Sequence, residues 1–169
     1  MSHELGLRFN SPTVNLWFTP KEFIKFLSQL EHYLYDCKIE IDEKNSEKYG
    51  YPVGKLEDIH VYFTHYETFE LAKQKWIERL KRLNMDNLYI IMVQKDGCTE
   101  QDICSFDSLK FKHKVIFTVK EYPQYRSAYY IPKSEVDIQN VKNLCDYQSR
   151  FTGKRWLDEF DWISFLNER

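Results

Sequence analysis

Apolar positions along this chain recur with two periods, and the switches between them mark out elements. Thr19-Pro20-Lys21-Glu22 opens a helix: Thr19 can accept from backbone N–H groups, Pro20 carries the φ of a first turn, and Glu22 completes a capping box. Phe23, Phe26, Leu27, Leu30 and Leu34 follow as one apolar stripe, predicting a helix of about four turns. Asp42–Lys48 is polar throughout and reads as an exposed loop. Tyr49-Gly50-Tyr51-Pro52-Val53-Gly54-Lys55-Leu56 reads as a shaped turn, with two glycines around a Tyr-Pro. Ile59–Thr64 then alternates as a strand, with His60 and Tyr62 on one face and Val61 and Phe63 on the other.

A second helix is predicted from Thr68, with Phe69, Ala72, Trp76, Leu80 and Leu83 as its buried stripe. Leu88–Val93 is the most continuous apolar run, which predicts a central strand covered on both faces, as in a parallel sheet. Thr99-Glu100-Gln101-Asp102 offers a capping box for a short helix reaching Phe106. Val115–Val119 and Ala128–Ile131 read as further strands, and Trp156–Leu166 as a last helix bearing Trp156, Phe160 and Ile163 on one side. Helix and strand patterns alternate without an internal repeat. The expectation is an α/β fold: a single three-layer domain over residues 1–169, with a mostly parallel sheet flanked by helices.

Composition then bears on the surface. The chain has 169 residues, with 24 Lys and Arg against 26 Asp and Glu, a balance that argues against a dedicated nucleic-acid module. A local basic cluster, Lys73, Lys75, Arg79, Lys81 and Arg82, lies mostly off the helical stripe. It reads as a solvated face, or as a patch for phosphates or anionic lipid. No apolar run is long enough to span a membrane, and the N-terminus lacks the pattern of a signal peptide, so a cytoplasmic location is expected. The four cysteines show no C-x-x-C pair and no zinc-ligand spacing, so no metal site is expected and the thiols read as reduced. His32 and Asp36, at i and i+4, read as surface decoration.

In open α/β sheets, ligands bind beyond the carboxyl ends of the strands. Two loops qualify: His65-Tyr66-Glu67 after one strand, and Lys95-Asp96-Gly97-Cys98 after another. If those strands are neighbours, His65 and Asp96 share a rim, with His65 as general base and Asp96 orienting it or acting as a second acid/base. Cys98 precedes a helix, whose N-terminus could lower its pKa. Chemistry with obvious fingerprints is excluded: there is no G-x-G-x-x-G, no P-loop, no G-x-S-x-G and no D-x-D.

Aromatic residues make up 17% of the chain, from 12 Phe, 12 Tyr and 4 Trp. Phe23, Phe26, Phe69, Trp76, Phe117, Trp156 and Phe160 fall on helical stripes or in buried strands and read as core. Tyr49, Tyr51, Tyr66 and Tyr122 fall in loops, where a phenol can stack on a sugar ring and hydrogen-bond its hydroxyls.

Several segments together, SPTVNLWFTPKEFIKF, YGYPVGKLEDI, IHVYFTHYETFELAKQKW, NLYIIMVQKDGC and VIFTV, resemble the bacterial exopolysaccharide biosynthesis protein family, formerly a domain of unknown function, encoded in capsule and lipopolysaccharide gene clusters. The resemblance runs from Leu5 to about Ile131, and more loosely over 153–166. It places the family's Ser-Pro-Thr-x-Asn on Ser11, Pro12, Thr13 and Asn15, its Tyr-Pro-x-Gly on Tyr51, Pro52 and Gly54, its His-Tyr on His65 and Tyr66, and its Asp-Gly-Cys on Asp96, Gly97 and Cys98. It implies a pathway, surface-polysaccharide assembly, more than a reaction. Members usually begin with a further strand ahead of the LGLRFNSPT segment, which this chain is expected to lack.

Two functions follow as expectations. One is a glycosyl- or acyltransferase acting on a sugar-nucleotide or lipid-linked glycan, with Asn15, Tyr51, Gly54, Lys55, Tyr66, Lys95, Gly97 and Cys98 binding substrate. The other is a non-catalytic scaffold module at the inner membrane face, docking through the helix from Lys73 to Arg82. The sequence leaves the cofactor and the oligomeric state open.

Overall fold

The computed structural model describes residues 9–149 and 151–167, which fall into two compact units, Met1–Asp86 and Asn87–Arg169. The additional N-terminal strand concerns positions outside the described residues.

In the first unit, α1 (Pro20–Ser28) starts where the Thr-Pro signal places it. The chain then widens into one π-helical turn, His32–Asp36. Short strand β1 (Glu40–Ile41) leads to α2 (Glu43–Tyr49), and then to strands β2 (Val53–Leu56) and β3 (Ile59–Tyr62) and helix α3 (Phe69–Leu80). The strands form an antiparallel sheet in the order β1-β2-β3. The predicted loop over Asp42–Lys48 is therefore mostly helix. It buries no residue, so it shows no hydrophobic period, and its ends alone define it: the Asp42 carboxylate accepts from Asn45 N–H, and Gly50 closes it at φ 75°. The expected turn over Val53–Leu56 is a strand, in which Gly54 makes room for the side chains of Ile39 and Phe63.

The alternation of β3 holds. Val61 and Phe63 are buried, with Phe63 edge-on to Trp76 at 6.5 Å, while the His60 and Tyr62 rings lie 6.3 Å apart. As an edge strand, β3 has outward backbone groups to satisfy. Trp17 exchanges two backbone hydrogen bonds with Tyr62, at 2.8 and 2.9 Å, and the Glu22 carboxylate accepts from His60 N–H at 3.0 Å.

The second unit holds β4 (Tyr89–Val93), α4 (Glu100–Asp107), β5 (His113–Thr118) and β6 (Ala128–Tyr130), all parallel in the order β4-β5-β6. Both arms of the Thr99–Asp102 capping box form. The most apolar run, β4, is at the edge of the sheet, and its Ile91 is 44% exposed; the central strand is β5. The last helix breaks at Phe160-Asp161 into a 3₁₀ turn, Trp156–Glu159, and α5 (Trp162–Asn167). The break turns Phe165 inward and leaves Ile163 exposed. Phe117, Phe160 and Phe165 join Val115, Ile131 and Leu144 in the core of this unit.

Helices and strands alternate as the pattern requires. In place of one mostly parallel sheet, however, the described residues form two three-stranded sheets, only one of them parallel. Strand pairing is a long-range choice, and the β2–β3 hairpin (hidden at the sequence level by its glycine) makes the first sheet antiparallel.

Candidate functional site

The parallel-sheet reading put His65 and Asp96 on one rim, but the strands they follow belong to different sheets in different units. His65 and Tyr66 lie in the turn after β3, with His65 exposed and Tyr66 edge-on to Phe63 at 5.7 Å. Lys95, Asp96, Gly97 and Cys98 form a tight turn with φ of 55° at Asp96 and 81° at Gly97, closed by Cys98 N–H donating to Lys95 C=O at 3.1 Å. Asp96 N–H donates to the Asn140 side chain. Cys98 is 3% exposed, and burial, followed by the Asp102 charge, pushes its thiol up to about 12. The expected acidic thiol is thus corrected: burial outweighs the helix N-terminus. Gly54 is enclosed within the unit's core, Asn15 is exposed at φ 63°, and Lys55 and Tyr51 lie on the face described next. Tyr122 lies in a loop, as expected, but is buried.

That face gathers groups from three elements. Glu22, in the first turn of α1, does not fold back onto the Thr19 backbone as the capping box predicts. Its carboxylate accepts from the Thr19 hydroxyl at 2.6 Å and reaches across to β3, where it meets His60 N–H and, at 2.7 Å, His60 Nδ1. His60 Nε2 lies 3.2 Å from Asp42, the cap of α2. An imidazole in contact with a carboxylate through each nitrogen is the core of the site. Lys55 is directly opposite His60 in the strand register. Beside them, Tyr49 and Tyr51 stack at 5.8 Å, and the Tyr49 ring meets Tyr62 edge-on at 5.5 Å. Burial, and next the Glu22 charge, push the Tyr62 hydroxyl up to about 12, so it remains a hydrogen-bond donor.

The neutral imidazole carries one N–H and the imidazolium two. If Nδ1–H goes to Glu22, the Nε2 lone pair faces the Asp42 carboxylate, and a proton must come from elsewhere to bridge that gap. A substrate hydroxyl approaching beside the pair can donate its one proton to Nε2, the more basic of two neighbouring acceptors.

Asp42 has a further consequence. Asn45, through its backbone amide and then its side chain, holds the Asp42 carboxyl below the usual carboxylate range. The folded value is depressed, so its stabilising effect is complete above the unfolded value of about 4 and is lost as pH falls through the lower folded value. The deficit in thermal midpoint of Asp42→Ala against the parent protein should therefore be largest near neutrality and shrink below about pH 4. A deficit independent of pH between 7 and 3 contradicts this assignment.

Sequence reading named neither Glu22 nor Asp42 as a site residue. Thirty-eight positions separate Glu22 from His60, and only the fold joins them. The available signal was the alternation of β3, which places an imidazole and a phenol on one face.

Among the described residues, one cluster could hold a metal ion: His32, Cys37 and Glu57, whose ligand atoms all lie within 4.8 Å of one another. His32, expected as surface decoration, contacts Asp36, Cys37 and Glu57. The Glu57 and then the Asp36 carboxylate raise its pKa, and burial, followed by Glu57, pushes the Cys37 thiol up to about 11.

The basic stripe of α3 is partly committed to structure. Arg79 is buried, donates to Val14 C=O at 2.7 Å and lies over the Phe9 ring, while Arg82 donates to Phe9 C=O. Lys75 pairs with Glu78, leaving Lys73 and Lys81 exposed. No described helix is long and apolar enough to cross a membrane. In the second unit, a cleft of about 480 Å³ opens where β5 and β6 begin, lined among others by Lys112, Lys114, Arg126 and Tyr129. Lys114 there donates to the carbonyls of Asp107 and Leu109, which ties its charge to the loop after α4.

Comparison with known proteins places the chain in a family. It belongs to the family described as a domain of unknown function (DUF1919), whose model matches residues 1–167. It is also similar to an uncharacterized protein of Haemophilus influenzae (strain Rd), with 42% identity over 165 residues, covering 98% of this chain and 77% of that one.

Proposed function

We propose that this DUF1919 chain takes part in building a bacterial surface polysaccharide, as a transferase that activates a sugar hydroxyl. The observation that carries the chemical part is His60 held between Glu22 and Asp42. The motif resemblance in Ser11–Asn15, Tyr51–Gly54 and Asp96–Cys98 supports the pathway. The base moves from His65 to His60 because His65 and Asp96 follow strands of separate sheets and cannot be assigned to one rim.

In this reading Glu22 holds the ring through Nδ1–H. Nε2 accepts the proton of the acceptor hydroxyl as its oxygen bonds to the incoming glycosyl or acyl carbon, and Asp42 steadies the imidazolium that forms. The donor's leaving group departs with the electrons of the broken bond. Tyr49 and Tyr51 offer aromatic faces for the sugar ring, and Lys55 a positive charge for an anionic donor. A positioned general base of this kind contributes about 10²- to 10⁴-fold in rate.

Complementation of a deletion strain tests the proposal. His60→Gln should abolish surface polysaccharide while the purified variant keeps the parent's circular dichroism and thermal midpoint. His65→Ala should retain it. Unchanged polysaccharide in the His60→Gln strain refutes the role.

A further inference from the structure

The first unit carries a second constellation, which shares no residue with the His60 site. His32 and Cys37 bracket the π-helical turn, and Cys37 N–H donates to His32 C=O at 3.2 Å. In an α-helix, residues five apart point to different faces; the i→i+5 bond of the π turn brings the pair together, with Cys37 Sγ 3.4 Å from His32 Nε2. Glu57 arrives from the two-residue loop between β2 and β3, and its carboxylate lies 3.2 Å from the same Nε2. It does so from φ 51°, at a loop position where hairpins favour glycine. Its neighbour Asp58 is engaged with Lys25 and with the Tyr33 hydroxyl. Two costly backbone features, a π turn and a left-handed glutamate, therefore converge on one point, and such features persist where function holds them.

We infer that His32, Cys37 and Glu57 bind a single zinc-type divalent ion. Ligands about 2.0 to 2.3 Å from a tetrahedral zinc stand about 3.3 to 3.5 Å apart, close to the 3.4 and 3.2 Å from His32 Nε2 to Cys37 and Glu57. On the other side of the ring, His32 Nδ1 lies 3.3 Å from Asp36. A carboxylate there fixes the tautomer and leaves Nε2 for the metal, the usual support of a metal-bound histidine. One sulfur, one nitrogen and one carboxylate suit zinc and not magnesium or calcium, which take all-oxygen sets. Three protein ligands leave the fourth position for water or a substrate oxygen.

Titration of the metal-free full-length chain with Co²⁺, then competition by Zn²⁺, tests the site. One ion should bind per chain, giving a thiolate-to-cobalt charge-transfer band and the intense visible bands of tetrahedral cobalt, both removed by zinc. Cys37→Ser should lose the charge-transfer band and weaken zinc binding at least tenfold, whereas Cys145→Ser should behave as the parent. Asp36→Asn should keep the 1:1 stoichiometry and weaken binding about 10- to 100-fold. Glu57→Gly guards against misfolding: glycine accepts this φ, so the variant should fold at least as well as the parent and still lose affinity. A parent chain without the charge-transfer band, a band that survives in Cys37→Ser, or full affinity in Glu57→Gly would each overturn the assignment.

Discussion

Phe117→Ala should cost about 3 to 5 kcal/mol of stability, a large share of the roughly 5 to 15 kcal/mol that holds a typical domain together. Phe117 is 1% exposed on β5, the middle strand of its sheet. Phe160 meets it edge-on at 5.3 Å, Tyr129 at 6.1 Å, and Trp162 lies 6.2 Å away. The deleted ring leaves a void bounded by large, inflexible rings on two sides, which close poorly over it. The cost therefore includes the cavity as well as the lost transfer energy. In urea, with a slope of about 2 kcal/mol per molar, the midpoint should drop by about 2 M. Trp162 emission gives a second readout, since its surroundings change in the folded variant. A loss under about 1 kcal/mol would mean that the aromatic cluster does not close on Phe117 as described.

Gly54→Val should cost nearly as much, about 3 kcal/mol, and Gly54→Ala somewhat less. A Cβ at position 54 meets Ile39 Cδ1 and Phe63 Cε2, each at 2.9 Å, closer than atoms of ordinary side chains come. Phe63 is wedged among Phe69, Tyr66 and Trp76, and Ile39 is buried, so neither yields without disturbing the core. The result also separates two roles for this glycine. A residue needed only for substrate would lose activity at unchanged stability; the expected outcome is a fall in the denaturation midpoint of the purified chain, with no ligand present. An unshifted midpoint for Gly54→Val would refute the packing role.

Much of the local structure was legible in the sequence because it is locally caused. Thr19-Pro20 and Thr99–Asp102 start helices through bonds spanning three residues, and β3 shows its two faces by alternation. Helix α2 was missed because it buries nothing, so its evidence was confined to one capping aspartate and one closing glycine. The parallel reading failed for the first sheet because apolar content marks a strand but not its partner. Strand β4 is the most apolar stretch and nonetheless an edge, while Gly54 disguised β2 as a turn. The candidate site was half visible: the face carrying His60 and Tyr62 could be read, but Glu22 and Asp42 belong to other elements. His32 and Cys37 were five apart, a spacing that means nothing on an α-helix and becomes a contact only at a π turn.

The outer side of β3 has one more implication. Its backbone donors at positions 60 and 62 are occupied by a single carboxylate and by Trp17, two short substitutes for a fourth strand. A side chain can swing away where a strand cannot. Glu22 thus covers part of the sheet edge as well as holding the His60 ring: if it turns to another partner, the hairpin is left with an open N–H. Substitutions at Glu22 aimed at the chemistry of His60 will therefore also uncover a backbone donor on the edge of the sheet.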